Sequence, residues 1–266
     1  MKNILFVSDL DGTLLTSSQT ISPENVEAIR RFEEQGGLFT LATGRTEQAV
    51  AKFIEQLNIT TPLILYNGAK IYCPVTKQVL YENKFDIPIA FWNYLISQLS
   101  ENLALLVYRN SNVYSPHRSE ILERHESKDG VVSLDLTEDM LHQPITKLLL
   151  IADHPEDLKM IEEQVLAIGL EAELVYSEHN YLEILPPHTS KGNTLRILLQ
   201  LLPHKDLYTI AVGDQLNDLT IIQQADDGYA VENAHPTLKI HANKSTVHHE
   251  DHAIADIIEK LMKQEV

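Results

Sequence analysis

Two aspartates, Asp9 and Asp11, stand two residues apart in Ser8-Asp9-Leu10-Asp11-Gly12-Thr13, which follows the apolar run Ile4-Leu5-Phe6-Val7. Such a run reads as a buried strand. Both carboxylates then fall at its end, where open α/β sheets bind ligands. Crowding two carboxylates there costs free energy without partners, and a metal, a phosphate or both is the ligand expected there. Gly12 lets the backbone turn sharply, and Thr13 is suited to hydrogen-bond that turn. Asp and Gly also dominate ordinary turns, so this segment alone does not choose between a polar turn and a site.

Three more segments follow predicted strands or open predicted helices. Thr43-Gly44-Arg45 offers a hydroxyl and free backbone N–H groups at a helix start, which suits a phosphate but also an ordinary N-cap. Gly213-Asp214-Gln215-Leu216-Asn217-Asp218 is an acidic loop, suited to a hard cation such as Mg²⁺ and also to a plain helix start. Ser190-Lys191-Gly192 puts a lysine at a helix N-terminus, an electrostatically unfavourable place unless an anion compensates it. A solvated lysine is the plain alternative.

Those segments need a scaffold, and the flanking residues describe one. Strands are expected over 4–8, 38–42 and 63–66, with helices over 23–35 and 46–57. Ser22 and Pro23 start the first helix and Gly36-Gly37 stops it. Near the C-terminus the alternation returns, with helices over 191–202, 216–224 and 251–263 and strands over 208–212 and 228–231. Alternating strands and helices imply an α/β fold with a parallel sheet and helices on its faces. Between these halves the pattern changes to strands over 103–108, 113–115, 146–152, 172–176 and 181–185, with helices over 89–101 and 156–167. This middle part reads as an inserted α+β unit. Prolines near Asp86-Ile87-Pro88 and Leu185-Pro186-Pro187 mark the crossings, giving a core of 1–85 and 187–266 and an insert of 86–186.

The composition narrows the function classes. A net charge of −17 argues against a nucleic-acid partner, which needs clustered Lys and Arg. No segment approaches the apolar length of a membrane span, so no membrane partner is expected and the cytoplasm is the expected location. Cys73 is the single cysteine, which excludes an internal disulfide and a cysteine-based metal site; it reads as a buried, inert thiol. No heptad repeat is visible, and a monomer or loose homodimer is expected.

Taken together, Asp9-Leu10-Asp11-Gly12-Thr13, Thr43-Gly44-Arg45, Ser190-Lys191-Gly192 and Gly213–Asp218 form the ordered motif set of the haloacid dehalogenase superfamily, which the chain closely resembles. The insert resembles the type IIB cap of its Cof-type branch, mostly sugar-phosphate and related phosphatases. Supporting matches are Asn67-Gly68-Ala69, Tyr181-Leu182-Glu183-Ile184 and Asn233-Ala234. The fold implied is a Rossmann-like parallel sheet core with helices on both faces, plus the inserted cap. The activity implied is Mg²⁺-dependent hydrolysis of a small phosphorylated metabolite through an aspartyl-phosphate.

The resemblance assigns roles as follows. Asp9 is the nucleophile and Asp11 the acid and then base. Mg²⁺ is held by Asp9, the backbone carbonyl of Asp11 and Asp214, with Asp218 supporting the metal's waters or Lys191. Thr43, Gly44 and Lys191 bind phosphoryl oxygens, and Leu10, Arg45 and Asn217 complete the phosphate contacts. A phosphomutase would use the same motifs. A phospho-accepting signalling or binding protein is the alternative from another class. The stretches around Val231-Glu232-Asn233-Ala234 and His248-His249-Glu250-Asp251-His252 depart from the Cof-type pattern. The three histidines miss the zincin spacing by one residue and are not expected to hold zinc. Arg109, His117 and Arg118 read as surface residues.

Overall fold

The computed structural model describes residues 3–204 and 206–264. In chain order the elements are β1 (Ile4–Ser8), α1 (Pro23–Glu34), β2 (Leu38–Leu41), α2 (Glu47–Leu57), β3 (Leu63–Leu65), β4 (Lys70–Cys73) and β5 (Gln78–Glu82). There follow α3 (Ile89–Gln98), β6 (Leu103–Arg109), β7 (Asn112–Ser115), α4 (Glu120–Asp129), β8 (Leu134–Asp135), β9 (Lys147–Ala152), α5 (Pro155–Ala167), β10 (Glu173–Glu178) and β11 (Tyr181–Leu185). The chain ends with α6 (Lys191–Leu201), β12 (Tyr208–Gly213), α7 (Leu219–Gln224), β13 (Asp227–Ala230), α8 (Pro236–His241), β14 (Lys244–Ser245) and α9 (Ala253–Gln264). These elements group into two compact units. The first holds the described residues up to Gly44, Val50–Tyr81 and those from Ser190 onward; the second holds Arg45–Ala49 and Glu82–Thr189.

The first unit is a parallel sheet in the order β14-β13-β12-β1-β2, with β3-β4-β5 as a separate antiparallel sheet. The chain steps from β1 to β2 in one direction and from β12 to β13 in the other. Right-handed crossovers running opposite ways put their helices on opposite faces. The packing agrees, with α1 against α9 and α6 against α7. Phe6 on β1 anchors the core, stacked on Phe39 at 5.7 Å and edge-on to Phe32 at 6.1 Å. Adjacent strands β1 and β12 lead away in opposite directions, so the sheet reverses between them. A crevice forms at such a switch point beyond the strand ends.

The second unit is a six-stranded sheet, β10-β11-β9-β6-β7-β8, antiparallel except where β7 pairs β8. On β9 the side chains alternate, as strand geometry requires. Leu148, Leu150 and Ala152 join Trp92 of α3 and Ile161 of α5 in one core. Lys147 takes the opposite face.

Several boundaries differ from expectation for local reasons. The helix expected over 89–101 ends at Gln98, because Leu99 turns extended (ψ 140°) and Ser100 bridges Leu103 to open the next hairpin. The helix expected over 216–224 begins as a 3₁₀ turn, Leu216–Asp218, before α7. The closing helix starts at Ala253, since His249–Asp251 form a 3₁₀ turn and His252 sits at φ +62°. The hairpin β4–β5, helices α4 and α8 and the two-residue strands β8 and β14 were not expected. Cys73 is half-buried at the end of β4, a correction to its reading as a buried thiol.

Candidate active site at the strand ends

Backbone pairing places the first motif between two others. Ser8 pairs with Leu41 on one side and Val212 on the other. The Asp9 N–H donates to the Val212 carbonyl at 2.9 Å, and the Ala42 N–H to the Ser8 carbonyl at 2.9 Å. Asp9 therefore lies beside both Thr43 and the Gly213-Asp214 loop, although 201 residues separate Thr13 from its partner Asp214. The turn after Asp9 is closed by the Leu10 carbonyl, which accepts from Leu14 at 3.1 Å and Leu15 at 2.9 Å. The Leu10 side chain is buried in the core, and Asp11 is half-buried within the turn.

Lys191 binds this acidic centre together. Ser190 caps α6, accepting from the Asn193 N–H at 3.1 Å, so the helix opens with Lys191 in its first turn. The Lys191 Nζ donates to Asp9 Oδ1 at 2.6 Å and to Asp218 Oδ1 at 2.5 Å, with its side chain fully buried. The unfavourable position at a helix N-terminus is thus offset by two carboxylates. The other Asp218 oxygen accepts from the backbone N–H groups of Asp214 at 2.9 Å and Gln215 at 3.2 Å. Asp218 is therefore committed to Lys191 and to the shape of its own loop. Of the two supports expected from it, the one to Lys191 is present.

Asp9, Asp214 and Asp218 each bring a carboxylate oxygen within 4.8 Å of the others. Burial and the neighbouring Asp218 hold the Asp9 carboxyl well above the usual carboxylate range, against the pull of Lys191. Burial, again with Asp218, pushes Asp214 up to about 7. Burial alone would lower the Lys191 ammonium, but Asp218 and Asp9 outweigh it and raise its pKa. One cation among three carboxylates leaves the centre short of positive charge. The donors are all oxygen, and a Cβ at Gly12 (φ +73°) would come within 2.5 Å of Asp214 Oδ2. Glycine thus keeps open the space in front of Asp214. Hard oxygen donors in a surplus of negative charge fit a divalent cation of the Mg²⁺ type.

Other predicted residues divide by location. Thr43 is buried, its N–H donating to Ile64 and its carbonyl accepting from Asn67 at 3.0 Å. Gly44 follows it, half-buried. Arg45 is buried and groups with the second unit. Asn217 donates from Nδ2 to Asn67 Oδ1 at 3.1 Å. Thr13 was expected to bond its own turn, but its hydroxyl donates to Asp214 Oδ1 at 3.2 Å. Among the surface readings, Arg118 is half exposed and pairs with Glu126 at 2.8 Å.

Sequence reasoning missed how the departing C-terminal stretches serve this centre. Asn233 Nδ2 donates to the Gly12 carbonyl at 2.8 Å, while its Oδ1 accepts from the His249 N–H at 3.1 Å. His249 Nδ1 lies 2.7 Å from the Leu15 carbonyl, and Glu250 accepts from the Ser17 N–H at 2.6 Å. The histidine-rich segment braces the loop that carries Asp11. Only the Asn233-Ala234 motif match signalled any of this.

A family model described as haloacid dehalogenase-like hydrolase matches residues 6–258. The chain belongs to the haloacid dehalogenase-like hydrolases. Bacillus subtilis YxeH is 30% identical to this hydrolase over 97% of the chain and 98% of its own length. The pyridoxal phosphate phosphatase YbhA of Escherichia coli is 29% identical, over 88% of this chain and 90% of its own. A haloacid dehalogenase-like hydrolase from Bacteroides thetaiotaomicron superposes with a TM-score of 0.84 at 26% identity, covering 98% of this chain and all of its own. The α/β core with an inserted α+β unit and the Cof-type resemblance both stand. No described helix of this hydrolase is long and apolar enough to cross a membrane.

Proposed function

We propose that the chain is a Mg²⁺-dependent phosphomonoesterase acting on a small phosphorylated metabolite through an aspartyl-phosphate on Asp9. The observation that carries this reading is the buried Lys191 ammonium bridging Asp9 and Asp218, with Asp214 alongside, at the switch point of a parallel sheet. The phosphatase relative named above supports the same reaction class.

In this reading an Asp9 carboxylate oxygen attacks phosphorus, the bond from phosphorus to the ester oxygen breaks, and Asp11 gives that oxygen its proton. Asp11 then accepts a proton from a water that attacks the acyl-phosphate, releasing inorganic phosphate and restoring Asp9. Lys191 orients Asp9 and, with Thr43 and the Gly44 N–H, binds the phosphoryl oxygens. Asp9, the Asp11 backbone carbonyl and Asp214 would hold Mg²⁺. Bound there, the ion would offset the repulsion between an anionic nucleophile and an anionic substrate.

The direct test is a panel of phosphomonoesters assayed with Mg²⁺ and with excess chelator. Mg²⁺-dependent release of inorganic phosphate from small esters is expected. Activity indifferent to chelation would remove the metal from the reading. An isomerised phosphate ester without released phosphate would instead make the enzyme a mutase.

A further inference from the structure

We propose that Asn67 is a further phosphoryl-binding residue, paired with Asn217 in a two-amide clamp; this rests on the phosphatase reading above. Asn217 Nδ2 donates to Asn67 Oδ1 at 3.1 Å. That leaves Asn67 Nδ2 and Asn217 Oδ1 buried with no hydrogen-bond partner. Turning both amides over exchanges the labels but still leaves one NH₂ and one carbonyl unpaired. A buried donor without an acceptor carries a desolvation penalty and calls for an explanation.

The location supplies one. Asn67 is 2% exposed, and its backbone N–H is tied to the Thr43 carbonyl. Gly68 follows at φ +104°, where an added Cβ would come 2.4 Å from the Ser190 carbonyl oxygen. The Gly68 carbonyl accepts from Thr194 Oγ1 at 2.6 Å, which fixes the turn on α6. The Asn67 amide is thus held among the Thr43, Lys191 and Asn217 segments, the three that carry the proposed phosphate contacts. Asn67 sits at φ +52°, a left-handed conformation that Asn and Asp accept more readily than other side chains. An NH₂ group so placed is matched by a phosphoryl oxygen. The unpaired carbonyl is matched by water or by a hydroxyl of the same ligand.

Two substitutions separate this role from a purely structural one. N67D keeps the left-handed turn and an oxygen for Asn217, but puts an anionic oxygen where the donor was. N67G keeps the turn and removes the side chain. Inorganic phosphate is the probe, measured as a competitive inhibitor of p-nitrophenyl phosphate hydrolysis and by calorimetric titration in the presence of Mg²⁺. Phosphate affinity is expected to fall about tenfold in N67G and further in N67D, each measured on folded protein at a pH where the introduced carboxyl is ionised. A residue that merely shapes the turn predicts the reverse order, since N67D preserves more of the local structure. That order, or unchanged phosphate affinity in a folded N67D, overturns the proposal. If N67G does not fold, N67D against the parent decides alone. A parent enzyme that neither hydrolyses the ester nor binds phosphate overturns the phosphatase reading along with the clamp, whereas an active parent with the reversed order overturns only the clamp.

Discussion

Lys191 in the first unit and Lys147 in the second are both buried, in different surroundings. Lys191 faces three carboxylates, of which Asp9 and Asp218 accept from it directly. Lys147, on β9, forms an ion pair with Glu183 on β11 at 3.0 Å, both side chains 3% exposed, with the Tyr108 ring 4.5 Å from its Nζ. His125 on α4 lies between the Tyr108 and Tyr181 hydroxyls at 3.4 and 3.2 Å. Burial, aided by Lys147 and Lys128, pushes His125 down to about 3, so it is neutral near pH 7. The second cluster ties β9 to β11 through an ion pair and serves the sheet. The first gathers three carboxylates around one ammonium, an arrangement that suits the proposed cation and anionic substrate.

The largest test of that contrast is D9N. Turnover should fall roughly 10³-fold or more, while the unfolding midpoint holds or rises, because burial already disfavours the ionised Asp9. Initial rates and thermal unfolding report the two separately, and a D9N variant with parental turnover would sink the nucleophile. In the second unit, K147M removes the ion partner of buried Glu183 and should cost about 3–5 kcal/mol in denaturant unfolding. Replacing both partners with apolar residues should recover most of it. If K147M costs under ~1 kcal/mol, the second cluster is not the structural element described here.

An intermediate effect is expected from D218N, which weakens both the Lys191 contact and the bonds shaping the Asp214 loop. It should cost about 2 kcal/mol and also lower turnover, unlike K147M at matched stability. His125 gives a pH test. Folded His125 stays neutral until about pH 3, whereas unfolded it takes up a proton below its ordinary 6.5. Stability from this group is complete above 6.5 and is lost as pH falls through that window. Unfolding of H125Q measured from pH 7 to 4 should therefore show a shallower acid slope than the parent. An identical slope would mean that His125 does not titrate as described. Smallest of all is R30Q. Arg30 pairs with Glu27 and Glu34 on the exposed face of α1, and its loss should leave the unfolding midpoint within measurement error.

Legibility followed the local character of each signal. β1, α1 and α6 were readable because apolar runs, an N-cap with proline and a helix-opening serine act within a few residues. The helix α4 was not, since its sequence is dominated by charge and buries only Ile121, Leu122 and His125. The hairpin β4–β5 was missed because β5 exposes Val79 and Leu80 and shows no inward alternation. In the candidate site, Asp9, Thr43, Lys191 and Asp214 could be named because their segments, taken in order, resemble the haloacid dehalogenase motif set, although each alone left a plain alternative open. The Asn67–Asn217 pair spans 150 residues and the Asn233 brace 221, so the motif matches marked these residues without revealing their contacts.

The sequence by itself determined which residue types stand at the ends of which strands and helices, because periodicity and capping act over one or two turns of chain. It thereby determined the family resemblance and the chemistry open to the chain. The tertiary structure alone decided that Lys191 bonds Asp9 and Asp218 rather than solvent, that Thr13 serves Asp214, and that the histidine-rich segment holds the loop of Asp11. Each of those depends on parallel strands far apart in sequence lying side by side, which a residue pattern implies only once the sheet order is known.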